Sequence, residues 1–135
     1  MTNRPLSFTD LDVWQQAHEL RIQVLKLLLE FPDNYRFGLS SQLQRSVISI
    51  GSNIAEGFGR QNKKEKLQFY RIARGSLVEV QDQLMVVRDM DILSPEVCEQ
   101  LLSQVTRVHQ LIHGLMRSLA NKPDLRLTNS EARSG

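Results

Sequence analysis

Six side chains in the middle of the chain have the types and spacing from which a polar site could be built. Arg45, Asn53 and Glu56 share one side of a helical repeat, and Ser76, Glu79 and Gln83 share one side of the next. Two carboxylates beside an arginine are the raw material of general acid–base catalysis, the guanidinium holding an anionic substrate. That chemistry also needs a nucleophile paired with its base, and no such pair accompanies the six. They are read here as a hydrogen-bonded polar layer between two helices, with no catalytic residue. Glu56 and Glu79 are expected to face inward. Buried carboxylates need a cationic partner, and Arg45 or Arg74 could supply it.

Other reactive types are thinner. Di-iron bundles place Glu-x-x-His pairs on facing helices, and the chain has no Glu-x-x-His. His109 and His113 are one turn apart, but no third ligand lies near them in sequence, so they are read as surface histidines. Neither a metal nor a cofactor is expected. Cys98 is the only cysteine, which excludes an internal disulfide, and nothing cationic adjoins it to activate the thiol. Gly57-Phe58-Gly59-Arg60 has the glycines of a phosphate loop without its setting. It follows a helix where a phosphate loop follows a strand, and no Gly-Lys-Ser/Thr completes it. It reads as a helix stop and a tight turn, with a backbone anion site at the start of the next helix left open.

Positive charge is what accumulates. Arg60, Lys63, Lys64, Lys66, Arg71 and Arg74 lie within fifteen residues, opposed only by Glu65. The formal net charge is just +2, so the clustering and not the total carries the inference. The residues leave two readings open, a solvated helix face or a phosphate-binding patch. Phe58, Phe69 and Tyr70 interleave the cations, with Phe69 claimed by the hydrophobic pattern for the core.

The elements that position these groups follow from periodicity. Leu39, Leu43, Val47, Ile50 and Ile54 fall on one apolar stripe at the helical repeat. Gln42, Arg45, Ser46, Ser49, Asn53 and Glu56 form a second stripe of small residues and amides, a composition suggesting a partly buried polar layer. Before it, Val13, Ala17, Leu20, Val24, Leu27 and Phe31 share a face, with Thr9 or Asp10 as cap and Pro32 as terminator. Ser40 or Ser41 caps the second helix. A third helix runs from a capping box at Asn62 and Glu65 to about Met90 along Phe69, Ala73, Leu77, Val80, Leu84 and Val87. Ser94-Pro95 opens a fourth, striped by Val97, Leu101, Val105, Val108, Ile112, Leu115 and Leu119. Short connections make sequential helices antiparallel neighbours. The fold expected is all-α, an up-down-up-down four-helix bundle over 10–120, with a loose leader at 1–9 and a disordered tail at 121–135. At 135 residues the chain suits a single domain. No secretory or membrane-spanning run is visible, so a cytoplasmic location without membrane contact is expected.

A bundle needs one apolar stripe per helix, and this chain has surplus. Trp14 and Leu25 sit on a shoulder of the first helix, and Ile48, Gly51 and Ala55 lie off the main stripe of the second. Such surplus suggests subunit contacts in a cyclic homo-oligomer.

Four stretches carry a family resemblance. They are Phe8, Leu11, Val13-Trp14 and Ala17; Phe31-Pro32, Tyr35 and Gly38-Leu39-Ser40-Ser41-Gln42-Leu43; Ser49-Ile50 with Ser52-Asn53-Ile54-Ala55-Glu56-Gly57; and Phe69 with Ile72-Ala73-Arg74-Gly75-Ser76-Leu77 and Glu79. From Phe8 to Leu119 the chain resembles the four-helix-bundle proteins encoded in intervening sequences of bacterial 23S ribosomal RNA genes. It departs at Gly51, where the family usually has proline, and at Gln44, where a second arginine is common. The resemblance implies a small helical protein with no established catalysis, and a ring-shaped pentamer. A related branch serves diversity-generating retroelements as an accessory protein that joins a reverse transcriptase and contacts nucleic acid. Together the residues and the resemblance point to a non-enzymatic homo-oligomer that binds RNA or other nucleic acid through the basic patch. The alternative is a protein-interaction scaffold, for example a reverse-transcriptase accessory subunit.

Overall fold

The computed structural model describes residues 4–123. Four helices dominate it: α1 (Asp12–Leu28), α2 (Ser41–Gly59), α3 (Lys63–Asp89) and α4 (Pro95–Ala120). Among the described residues there is no strand. α2 packs on α1 and α3, and α4 closes the ring against α3 and α1. This is the antiparallel four-helix bundle that the apolar stripes require. The interior is aliphatic, with Leu20, Leu43, Ile50, Ile54, Leu84 and Ile112 all but sealed from solvent.

The helix ends show local chemistry at work. Asn62 accepts from the Glu65 backbone N–H at 2.8 Å, and Ser94 accepts from that of Val97 at 3.2 Å with Pro95 beside it. Each satisfies one of the donors a helix start leaves open. A complete capping box occurs elsewhere: Ser7 caps a 3₁₀ turn at Phe8–Asp10, and the Asp10 carboxylate accepts from the Ser7 and Leu6 backbones. Thr9 and Asp10 therefore serve this turn, and α1 starts after Leu11 without a side-chain cap. Chain entry is thus folded from Ser7 onward. Residues 124–135, most of the expected tail, lie outside the described residues.

Three further expectations are corrected. α1 ends at Leu28, and Phe31 leaves the helix to plug the end of the core. The turn after Pro32 is helical throughout, a 3₁₀ turn at Asp33–Tyr35 running into a π-turn at Arg36–Ser40 and so into α2. Ser40 is already in helical conformation there and its hydroxyl caps nothing. Finally, α2 continues through Gly57 to Gly59. Gly57 is needed for closeness, since a Cβ there would sit 2.6 Å from Tyr70 Cε1. Tyr70, 2% exposed, takes the core place expected for Phe69, which is half-buried.

The α3–α4 corner is a Schellman turn. Ile92 N–H bonds the Val87 carbonyl at 3.0 Å and Asp91 N–H that of Arg88 at 3.1 Å, with Asp91 at φ 57°. Glycine is the usual residue at this left-handed position.

Candidate functional site

The six clustered cations separate into two groups. α2 and α4 end where α3 begins, and a helix C-terminus leaves carbonyls without donors and a partial negative charge. Lys63 reaches across to α4, donating to the carbonyls of Ala120 at 3.1 Å and Lys122 at 2.7 Å. Lys66 does the same for α2, donating to Phe58 O at 2.7 Å and Gly57 O at 3.3 Å, with its ammonium over the Phe58 ring. Burial lowers its pKa. Arg60 pairs with Glu56 at 3.3 Å and stacks over Phe69. Lys64 and Arg71 are exposed and Arg74 is half-buried; no acid lies within ion-pair distance of them among the described residues. Positions 64 and 71 fall on the outward side of α3, away from Leu77 and Leu84, and Arg74, one turn before Leu77, sits half-buried at the flank of that side.

The polar layer is real but narrower than expected. Ser46 Oγ lies 3.1 Å from Glu79 Oε2 and 2.9 Å from Gln42 O, and Ser76 Oγ lies 2.8 Å from Ser49 Oγ. These bonds tie α2 to α3 at two successive turns. Asn53 joins only its own helix, donating to the Ser49 hydroxyl and carbonyl at 2.8 Å each. Ser46, Ser76 and Gln83 are buried. Glu79 and Arg45 stand exposed at the rim of a groove of about 440 Å³ lined by Gln42, Arg45, Ser46, Ser49, Ser76, Glu79 and Gln83. Glu56 is excluded from the layer. It lies about two turns beyond the last cross-helix bond, is 60% exposed, and pairs with Arg60 instead of an interior arginine.

The surplus apolar positions do converge, on the α1–α2 seam, but with a polar strut among them. Trp14 stacks on His18, with ring centroids 4.7 Å apart. The Arg21 guanidinium lies over Trp14, donates to the Ile48 carbonyl at 3.3 Å, and lies 2.8 Å from His18 Nδ1. Burial lowers the Arg21 pKa. Gly51 is buried because Arg21 of the same chain covers it, which removes it from the candidate subunit contacts. Trp14, Leu25, Ile48 and Ala55 remain half-buried along the seam. Arg21 and His18 share the shoulder of Trp14 and Leu25 by periodicity, but their role as a strut between α1 and α2 was missed by sequence reasoning. The signal available was a glycine on α2 facing a shoulder arginine on α1.

The family model for the 23S rRNA-intervening sequence protein matches residues 9–114. The chain belongs to that family. A similar solved structure is that of a protein of unknown function from the S23 ribosomal protein family of Bacteroides thetaiotaomicron VPI-5482. It is 22% identical, covers 78% of this chain and 95% of its own, and superposes with a TM-score of 0.73. At that identity it supports the fold. No curated protein matches.

Within this family member the Ser52–Gly57 run has a physical explanation. Ile54 is fully buried in the core, Asn53 fastens to Ser49, and Gly57 admits the Tyr70 ring. Ala55 lies at the seam and Glu56 points to solvent.

Proposed function

We propose that this 23S rRNA-intervening sequence protein is a non-enzymatic, cytoplasmic homo-oligomer, a pentamer by family analogy, that binds RNA through the outward side of α3. The observation that carries this is the set of three cations, Lys64, Arg71 and Arg74, without an acidic partner among the described residues. In one subunit the patch is small. Repeated around a ring, weak phosphate contacts on one polyanion add through effective concentration. Recognition then rests on backbone and shape, with little base readout. No described helix is long and apolar enough to cross a membrane.

The test is a salt titration of structured RNA against the wild type and a Lys64→Ala, Arg71→Ala, Arg74→Ala triple variant. Lys63 and Lys66 stay unchanged because they hold helix ends. Each phosphate contact contributes a slope of about −0.7 to −0.9 in log K against log salt. The wild type should weaken steeply with salt, and the variant should keep its oligomer size by light scattering while losing affinity and slope. Equal binding by the variant refutes the patch, and a wild-type monomer at micromolar concentration refutes the ring.

A scaffold for a protein partner is the second reading. Leu29 and Phe37, 86% and 93% exposed, flank a groove of about 870 Å³ at the α1–α2 corner. Exposed apolar patches of this kind mark protein contacts. If the triple variant leaves RNA binding intact, this corner becomes the surface to mutate.

A further inference from the structure

The groove between α2 and α3 has features that the polar layer alone does not need. Its floor contains a buried acceptor with nothing to accept. Gln83 is 8% exposed, and its Oε1 has no hydrogen-bond partner among the described residues. Buried carbonyl groups are nearly always paired, because leaving one unpaired costs its desolvation. The cross-helix bonds explain how this arises. Ser49 meets Ser76 and, one turn on, Ser46 meets Glu79. The next level of an antiparallel pair brings Gln42 opposite Gln83, and there no bond forms.

The two walls differ in sign. α3 presents an acceptor, the Glu79 carboxylate, of which Ser46 occupies one oxygen, with the Gln83 carbonyl oxygen sealed in the floor beside it. α2 presents donors: the Arg45 guanidinium, the Gln42 amide, and the Ser49 hydroxyl. Ser49 Oγ already accepts from Asn53 and Ser76, which leaves its own proton to donate. Arg45 and Glu79 line one groove yet make no ion pair with each other.

We infer that this groove is a binding site for a small zwitterion of the amino-acid class, lying across the groove with its ammonium at Glu79, where a rotation of the Gln83 amide would bring its orphaned carbonyl into reach, and its carboxylate toward Arg45 and Ser49. The lining selects for this. No aromatic or aliphatic side chain is among the seven lining residues, so apolar and stacking ligands gain little. A pure anion meets Glu79, and a pure cation meets Arg45. Only a ligand carrying both charges satisfies both walls. The volume of about 440 Å³ falls within the range of small-molecule sites. The groove shares no residue with the Lys64, Arg71 and Arg74 face, so failure of either reading leaves the other standing.

The experiment is calorimetry on the full chain with the common L-amino acids singly, at millimolar concentration. For any that binds, its N-acetyl and carboxamide derivatives follow. Arg45→Ala and Glu79→Gln are the main variants, since both side chains are exposed and glutamine keeps an acceptor for Ser46; Gln83→Met tests the floor, with circular dichroism as the fold check on all three. The expected result is saturable binding of at least one amino acid, abolished by blocking either charge and weakened about tenfold or more in the two rim variants. No binding across the set overturns the inference. So does binding indifferent to the variants, or equal binding of the blocked derivatives. If no amino acid binds and the rim variants change the oligomer size in sedimentation, the groove is a subunit contact and the inference is again overturned.

Discussion

Adding one methyl group at Gly57 tests the packing logic of the whole α2–α3 interface. Alanine is the better helix former by about 1 kcal/mol, so propensity alone favours Gly57→Ala. The structure opposes it. The new Cβ would meet Tyr70 Cε1 at 2.6 Å, Tyr70 Cδ1 at 2.9 Å and Phe69 Cβ at 3.1 Å. Tyr70 is 2% exposed in a closely packed interior, so its ring has no free space to enter. Overpacking of this kind costs about 1–3 kcal/mol, and a fixed ring places it in the upper half of that range. The net expectation is a loss of about 1–2 kcal/mol, or a Tm lower by roughly 3–8 °C.

Three other glycines give the comparison its controls. At Gly51 the added Cβ meets only the Arg21 guanidinium, at 2.9 Å from Nη1, and the end of a flexible side chain can swing aside. Gly51→Ala should therefore stay within about 0.5 kcal/mol of the parent, trading the Arg21–Ile48 bond for helix propensity. Gly75 and Gly114 have nothing within 4 Å, and alanine there should stabilise by about 0.5–1 kcal/mol. Urea unfolding followed by far-ultraviolet circular dichroism, with unchanged m, is the assay. If Gly57→Ala is as stable as Gly75→Ala, the glycine does not exist to admit Tyr70 and the close approach has another cause.

Four further outcomes follow from particular groups. Glu56→Ala should cost only about 0.3–0.5 kcal/mol, since its pair with Arg60 is an exposed one-turn contact, and a loss of several kcal/mol by urea unfolding would place Glu56 in a buried interface. Asp91→Gly should stabilise by about 1 kcal/mol, because the φ of 57° there carries no penalty for glycine. Cys98 is buried and burial pushes its thiol pKa up, so iodoacetamide at neutral pH should label it slowly in the native state and rapidly in denaturant. Burial pushes Tyr70 up to about 12, against about 10 in an unfolded chain; the native state keeps a proton the unfolded chain releases, so stability is full below about pH 10 and is lost toward about pH 12, a decline that Tyr70→Phe should reduce in urea midpoints.

The bundle was legible because its determinants are local and periodic. Ile50 and Ile54 lie where the helical repeat puts them, and Asn62 and Ser94 announce their helices one residue early. What resisted reading was whatever depends on a neighbour distant in sequence. Phe69 and Tyr70 are adjacent, and periodicity could not choose between them; Gly57, thirteen positions before Tyr70, makes the room that decides it. Glu56 shares a helix face with Asn53, yet the crossing of α2 and α3 keeps the buried layer at Ser46 and Ser49 and leaves Glu56 beyond it. Periodicity puts Arg21 on the α1 shoulder with Trp14, but its role, filling the space over a glycine on another helix, depends on that distant partner.

The same distinction governs the positive charge. Counting cations along the sequence treats six residues as equivalent, while the bundle end makes them unequal. A lysine donating to two terminal carbonyls is held by the fold and has fewer protons left for a phosphate. Lys63 and Lys66 are in that position, and Arg60 already shares its charge with Glu56. Lys64, Arg71 and Arg74 are not, and they extend along α3 instead of gathering at its start. Seven residues separate Lys64 from Arg71, a rise of about 10 Å along a helix. That spacing is long for one compact anion and suits a chain of phosphates laid along the helix. Polyanion binding should accordingly compete with heparin far more effectively than with free phosphate. If inorganic phosphate at matched ionic strength displaces RNA as well as heparin does, the cations act as isolated anion sites and the extended interface is refuted.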